Sequence, residues 1–195
     1  MRCLCHMGRD GGPMFGGAGL MRKDAGMTDV NANTIAALRA EIAEKPDGVL
    51  EALAERHQTT MKTVFSALPE GQATPVPASR FEDLWADLAT WGDVTFIVHT
   101  RDGVFETKAP VPPGSHGRGY FNIHGDSPLG GHIRADRCDS IWFVDRPFFG
   151  RRSCSLVFIN TDGEAMFKVF VGRDAQRELN PQQVARFEAL RASLA

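Results

Sequence analysis

A continuous apolar run of roughly 20 residues, the length a membrane-spanning helix needs, occurs nowhere in this sequence. That excludes a helical transmembrane span. The N-terminal segment also lacks the unbroken apolar centre of a secretory signal peptide. Cysteine is scarce. Cys3, Cys5, Cys138 and Cys154 are too scattered for a disulfide framework in a chain of 195 residues, which points to a reducing, cytoplasmic setting. Neither sign of charge is in excess. With 22 Lys and Arg against 24 Asp and Glu, the net charge is −2, and nothing demands nucleic acid or an anionic membrane surface as partner. G-x-S-x-G, P-loop and dinucleotide fingerprints are all missing. No H-x-x-x-H and no clustered carboxylates mark a closed zinc site. The expectation is no catalytic residues, and a binding protein rather than an enzyme.

What is present divides into a helical start, a connector and a body. Residues 1–26 are Gly- and Met-rich without periodicity and read as a disordered leader, with Met27 as the functional start. Their C-x-C-H is not the C-x-x-C-H spacing of haem attachment. Residues 27–68 read as a helical segment. Ile35, Leu38 and Ile42 fall on one helical face over 33–44, Pro46 stops that helix, "VLEALAERH" follows, and Thr59 or Thr60 can cap "MKTVFSAL". The helix–turn–helix spacing also fits a DNA-reading regulator, although few Lys or Arg accompany it. Residues 69–78, "PEGQATPVPA", read as a Pro-rich linker.

The body, 79–195, forms one structural domain with 27–68. Ser79 and Glu82 make a capping box before the stripe Phe81, Leu84, Trp85 and Leu88. From 93 the apolar period changes from 3.6 to 2. About seven strands follow with short connections and no helix between them: "DVTFIVHT", "VFETKA", "YFNIHG", "HIRADRC", "SIWFVDR", "SCSLVFIN" and "EAMFKVFVG", with "PVPPGSHGRG" as a loop. Asn180 and Pro181 open a last helix whose buried face is Val184, Phe187, Leu190 and Leu194. This pattern predicts α+β: a large antiparallel sheet with an N-terminal helical segment and a C-terminal helix.

Histidines recur at 99, 116, 124 and 132, each on a strand or its loop, and the chain's only tyrosine, Tyr120, lies among them. Alternation puts Tyr120, Asn122 and His124 on one face with Phe121 and Ile123 on the other, and pairs His132 with Arg134. His99 falls beside Ile97 in an apolar strand, where a hydrogen bond is the ordinary role for a lone histidine. Arg101, Arg118 and Arg134 are close by in sequence. Gly130 and Gly131 precede His132, either as an ordinary tight turn or as room for a bulky group. An imidazole or phenolate for iron, aromatic residues such as Phe121 for a ring, and guanidinium groups for carboxylates are what haem uses.

Several longer stretches carry a more specific signal. "PDG-x-LE-x-LAE-x-x-x-TT", "W-x-D-x-x-x-WG-x-VT-x-x-VHT", "HGRGYFNIHG", "GGHIRAD-x-C" and "FFG-x-x-x-CSLVFIN-x-x-G-x-AMFK-x-FVGRD" occur in that order over 45–194. In this the chain resembles the ChuX/HutX family of cytosolic haem-utilisation carriers. The resemblance implies a HemS/ChuX-like α+β fold, a homodimer, and an intracellular carrier that accepts haem (iron protoporphyrin IX) and passes it to a transfer partner. It places haem-associated histidines at His99 and His132 and a tyrosine at Tyr120, leaving three candidate iron ligands. Arg118, Arg134 and Phe121 complete the expected haem-binding set. A haem-degrading enzyme is the competing expectation, for which Asn122, His124 and Arg134 would supply polar groups near bound oxygen.

Overall fold

The computed structural model describes residues 24–194 of the chain, with side chains from residue 32 onward. The leader expected over 1–26 therefore lies outside the described residues except for its last three, which begin a helix. Helices α1 (Asp24–Glu44), α2 (Leu50–Arg56) and α3 (Met61–Ala67) form the N-terminal layer. Thr60 caps α3, its hydroxyl accepting from the Thr63 amide at 3.3 Å. Leu38, Ile42, Leu53, Met61, Val64 and Phe65 turn inward and bury against Trp142, Val144, Val157 and Ile159.

A six-stranded antiparallel sheet runs in the order β1-β7-β8-β9-β2-β3. Its members are β1 (Ala73–Pro77), β2 (Asp93–Thr100), β3 (Gly103–Pro110), β7 (Cys138–Phe148), β8 (Arg151–Asn160) and β9 (Ala165–Phe170). The face opposite α1–α3 is covered by α4 (Phe81–Leu88) and α5 (Pro181–Leu194), whose Trp85, Leu84 and Phe187 pack on Ile141, Phe143, Leu156, Phe158 and Val169. Because both faces are covered, strands such as "IWFV" (141–144) are apolar at every position: Ile141 and Phe143 serve one core, Trp142 and Val144 the other. The Asn180 side chain accepts from the Gln182 and Gln183 amides and starts α5 as expected. Cys138 and Cys154 are buried free thiols, pushed up to about 11 and about 12 by burial.

The elements depart from the sequence expectations in five places. The first helix begins at Asp24, not at 33. The connector over 69–78 holds β1, an edge strand on β7; Pro75 and Pro77 are tolerated because an edge strand has one side free of ladder bonds. Ser79 lies inside a 3-10 turn, so α4 starts at Phe81 with Arg80 at the N-cap position and no side-chain cap, and the expected capping box does not form. The loop over 110–119 contains β4 (Gly114–Gly117). That strand pairs with β5 (Tyr120–Ile123), and β5 with β6 (Gly131–Ile133), as a separate three-stranded sheet. Finally, "HIRADRC" is a strand only to Ile133. Arg134 leaves the extended region at ψ 74°, and the Arg137 amide closes a 3-10 turn on the Arg134 carbonyl at 2.9 Å.

Candidate ligand cleft on the small sheet

The small sheet is pegged to the body chiefly by Phe121, with Ile123 and Ile133 packed against the same core. Phe121 is 3% exposed and meets Phe81 and Trp85 edge-on at centroid distances of 5.2 and 5.4 Å. Gly114 makes that fit possible. A Cβ there would stand 2.2 Å from the Phe121 ring. Trp85 Nε1 donates to the Pro112 carbonyl at 2.9 Å and anchors the chain entering β4. With Phe121 pointing in, strand alternation turns Tyr120 and Asn122 outward. Tyr120 is 41% exposed.

Beside Tyr120 lies a cleft of about 640 Å³ lined by His116, Arg118, Tyr120, Phe121, Arg134 and Asp136, with Phe81 and Glu82 of α4 on its far wall. The volume is in the ~300–1,000 Å³ range of small-ligand sites. Arg134 lies over the Tyr120 ring, 5.9 Å from its centroid, and grips Asp136 with two hydrogen bonds of 2.8 and 2.6 Å. That pairing holds the Asp136 carboxyl below its ordinary range and the Arg134 guanidinium above its own. Arg118 and Gly119 form the hairpin turn between β4 and β5, at φ 54° and 80°. His132 stands on β6 next to the cleft, its ring 5.9 Å from the Tyr120 ring and its Nδ1 2.7 Å from Asn122 Oδ1. Gly131, at φ 149°, has nothing within 4 Å of where a Cβ would be, so the approach to His132 is open.

The structure thus brings together Tyr120, Phe121, Arg118, Arg134 and His132. It does not bring His99 to them. Val94, Phe96 and Val98 of β2 face the core under α4, the side on which Phe81 and Phe121 stand. His99 has the opposite parity and faces α2, where its Nδ1 is 3.3 Å from a Glu51 carboxylate oxygen. Glu51 also contacts the ammonium of Lys168, itself only 9% exposed. His99 is therefore part of a half-buried ion cluster between α2 and the outer face of the sheet.

Several cleft residues, His116 and Asp136 among them, lie outside the sequence-derived set. His116 Nε2 lies 3.1 Å from Glu82 Oε1, and its ring meets Phe121 edge-on at 5.3 Å. Asp136 holds Arg134. The recurrence of histidines pointed toward His116. The Asp136 pairing depends on a turn that the strand-like pattern concealed. Among the described residues no three His, Cys, Asp or Glu side chains cluster as a metal-ion site, and no helix is long and apolar enough to cross a membrane.

A mixed fold of helices on both faces of an antiparallel sheet, with an open cleft lined by a phenol, guanidinium groups and aromatic rings, is the architecture of a small-ligand-binding protein. The family can be stated directly. Residues 74–190 match the haem utilisation ChuX/HutX model, and the chain belongs to that family. It is 37% identical over 162 residues to the intracellular heme transport protein HutX of Vibrio cholerae serotype O1, covering 80% of this chain and 84% of that one. Among solved structures it resembles protein AGR_C_4470 from Agrobacterium tumefaciens, at 42% identity and TM-score 0.81, covering 90% of this chain and 99% of the other. It also resembles the heme binding protein ChuX, at 40% identity and TM-score 0.74, covering 80% and 98%.

Proposed function

We infer that this protein binds haem, one per subunit, in the cleft beside Tyr120 and His132 and serves as an intracellular carrier that takes haem up and hands it on. The observation that carries the reading is the convergence of a phenol and two guanidinium groups on one open cleft of about 640 Å³, with the His132 ring 5.9 Å from the phenol beside it. Family membership and the names of the relatives support it. Haem here is cargo. Phe121 and Phe81 offer an apolar wall to the macrocycle. Arg118 and Arg134 suit the propionates, planar donors against carboxylates. Tyr120 or His132 supplies the iron ligand. A phenolate favours the harder ferric ion, whereas a neutral imidazole serves both oxidation states. A cleft this open suits transfer better than retention, and no residue is assigned a catalytic role.

The carrier works in the cytoplasm as a homodimer joined through the sheet region. The two sheet edges differ in a way that supports this. On β1, Pro75 and Pro77 remove backbone donors. On β3, Val104 and Phe105 are 52% and 70% exposed, and the outer side of the strand has no neighbour in the sheet. An open apolar edge is a liability that pairing removes. Phe105→Asp should convert the dimer to monomer by light scattering at micromolar concentration; a wild-type monomer under those conditions contradicts the assembly. The haem reading itself is tested by absorption titration, which should saturate at one haem per chain with a spectrum distinct from free haem. A spectrum of free haem throughout contradicts it.

A further inference from the structure

His132 stands directly opposite Asn122 in the β5–β6 ladder, with Nδ1 2.7 Å from Asn122 Oδ1. A ring nitrogen can donate or accept, so this distance alone does not say which nitrogen carries the proton. The other end of the amide does. Asn122 Nδ2 faces three backbone carbonyls, Gly117 at 3.0 Å and Ser115 and Tyr120 each at 3.3 Å. They converge because the turn at Arg118 and Gly119 has positive φ at both residues and curls the hairpin back over the amide. Carbonyl oxygens only accept, so they hold the NH₂ end in place. Turning the amide over would set its oxygen against three others. Oδ1 is therefore the end that meets His132, and as an acceptor it requires a hydrogen on Nδ1. A neutral imidazole protonated on Nδ1 has a bare lone pair on Nε2. Free histidine favours the other tautomer, in which Nε2 carries the proton and is closed to a metal.

We propose that Asn122 is a positioning residue that locks neutral His132 as its Nδ1–H tautomer and so presents Nε2 as an open donor atom for an electron-pair acceptor, haem iron in the first instance. Metal-binding histidines elsewhere are set in the same manner, by what their second nitrogen donates to. The iron assignment rests on the haem reading above. The tautomer does not; it follows from four hydrogen bonds in the protein alone.

The test separates the two. In the ligand-free protein, two-bond ¹H–¹⁵N correlation spectra recorded well above the imidazole titration range report the protonated nitrogen, with His132→Ala identifying the signals. Wild type should show Nδ1 protonated and Nε2 bare. Asn122→Leu, which keeps the volume and removes the acceptor, should shift His132 toward the Nε2–H form. Wild-type His132 protonated on Nε2 overturns the lock whether or not any variant folds. In a parallel haem titration, Asn122→Leu should weaken binding by ~10–100-fold, the usual cost of losing a residue that orients a metal ligand. If His132→Ala leaves haem affinity and spectrum unchanged while the tautomer is as stated, the iron assignment fails and the lock stands.

Discussion

On β2, His99 meets a half-buried carboxylate that also contacts a buried ammonium. On β6, His132 meets a neutral amide at the edge of an open cleft, beside the one tyrosine. Both histidines sit in strand-like sequence near apolar residues, and a resemblance at the level of motifs treats them alike. Their surroundings do not. His99, Glu51 and Lys168 join α2 to the outer face of the sheet. The His132 site is held by backbone hydrogen bonds of a small, separate sheet and presents unengaged surface. A ligand entering beside His99 would have to break an ion cluster, whereas one entering beside His132 displaces water. On our proposal the structural role belongs to the first and the binding role to the second.

That contrast breaks most severely if the two sites respond alike to substitution. The largest effect is expected at Glu51. Glu51→Ala leaves Lys168 charged and buried without its partner and should lower stability by about 3 kcal/mol in denaturant unfolding, with haem affinity unchanged in the folded fraction. An unaltered midpoint would mean that the cluster is not a structural joint. Next is the pair Tyr120→Phe with His132→Ala. Removing both candidate ligands should cost more than ~100-fold in haem affinity, beyond the 10–100-fold typical of groups that merely orient a ligand, while thermal stability holds.

The guanidinium groups sharpen the picture further. Arg118→Ala should weaken haem binding by about tenfold, the equivalent of one charge-assisted hydrogen bond of ~1.5 kcal/mol. Arg134→Ala should cost less, because Arg134 is already committed to Asp136. Asp136→Asn then releases Arg134 and should tighten binding. Equal losses at both arginines, or a loss at Asp136→Asn, would refute this ordering. The smallest effect is expected at His99→Ala, about 1 kcal/mol of stability for one hydrogen-bonded contact and no change in haem affinity.

Much of this architecture was legible in the sequence because local rules and tertiary context agree. The stripe of α4, the Asn180–Pro181 start of α5, the β2–β3 hairpin and the inward Phe121 all follow from periodicity and cap chemistry. The failures share a different cause. Pro75 and Pro77 read as a linker because the edge position that tolerates them depends on where β7 lies. Ser79 and Glu82 read as a cap because the 3-10 turn that displaces them is set by the packing of Phe81. The separation of one antiparallel sheet into two cannot be read from strands alone. It depends on Gly114 admitting the Phe121 ring and on Arg134 leaving the extended region. At the site, strand parity grouped Tyr120 with Asn122 and opposed them to Phe121. Parity also gave His99 its face, but not the identity of the helix that covers it, so its remoteness from Tyr120 required the fold.

The central claim is that haem binds at Tyr120 and His132 and not at His99. One measurement addresses it most directly: absorption titration of ferric haem into His99→Ala and into the Tyr120→Phe, His132→Ala double variant, each first shown to be folded. The account predicts that His99→Ala saturates at one haem per chain with the wild-type spectrum, and that the double variant yields the spectrum of free haem. Loss of binding in His99→Ala together with retention in the double variant would contradict it.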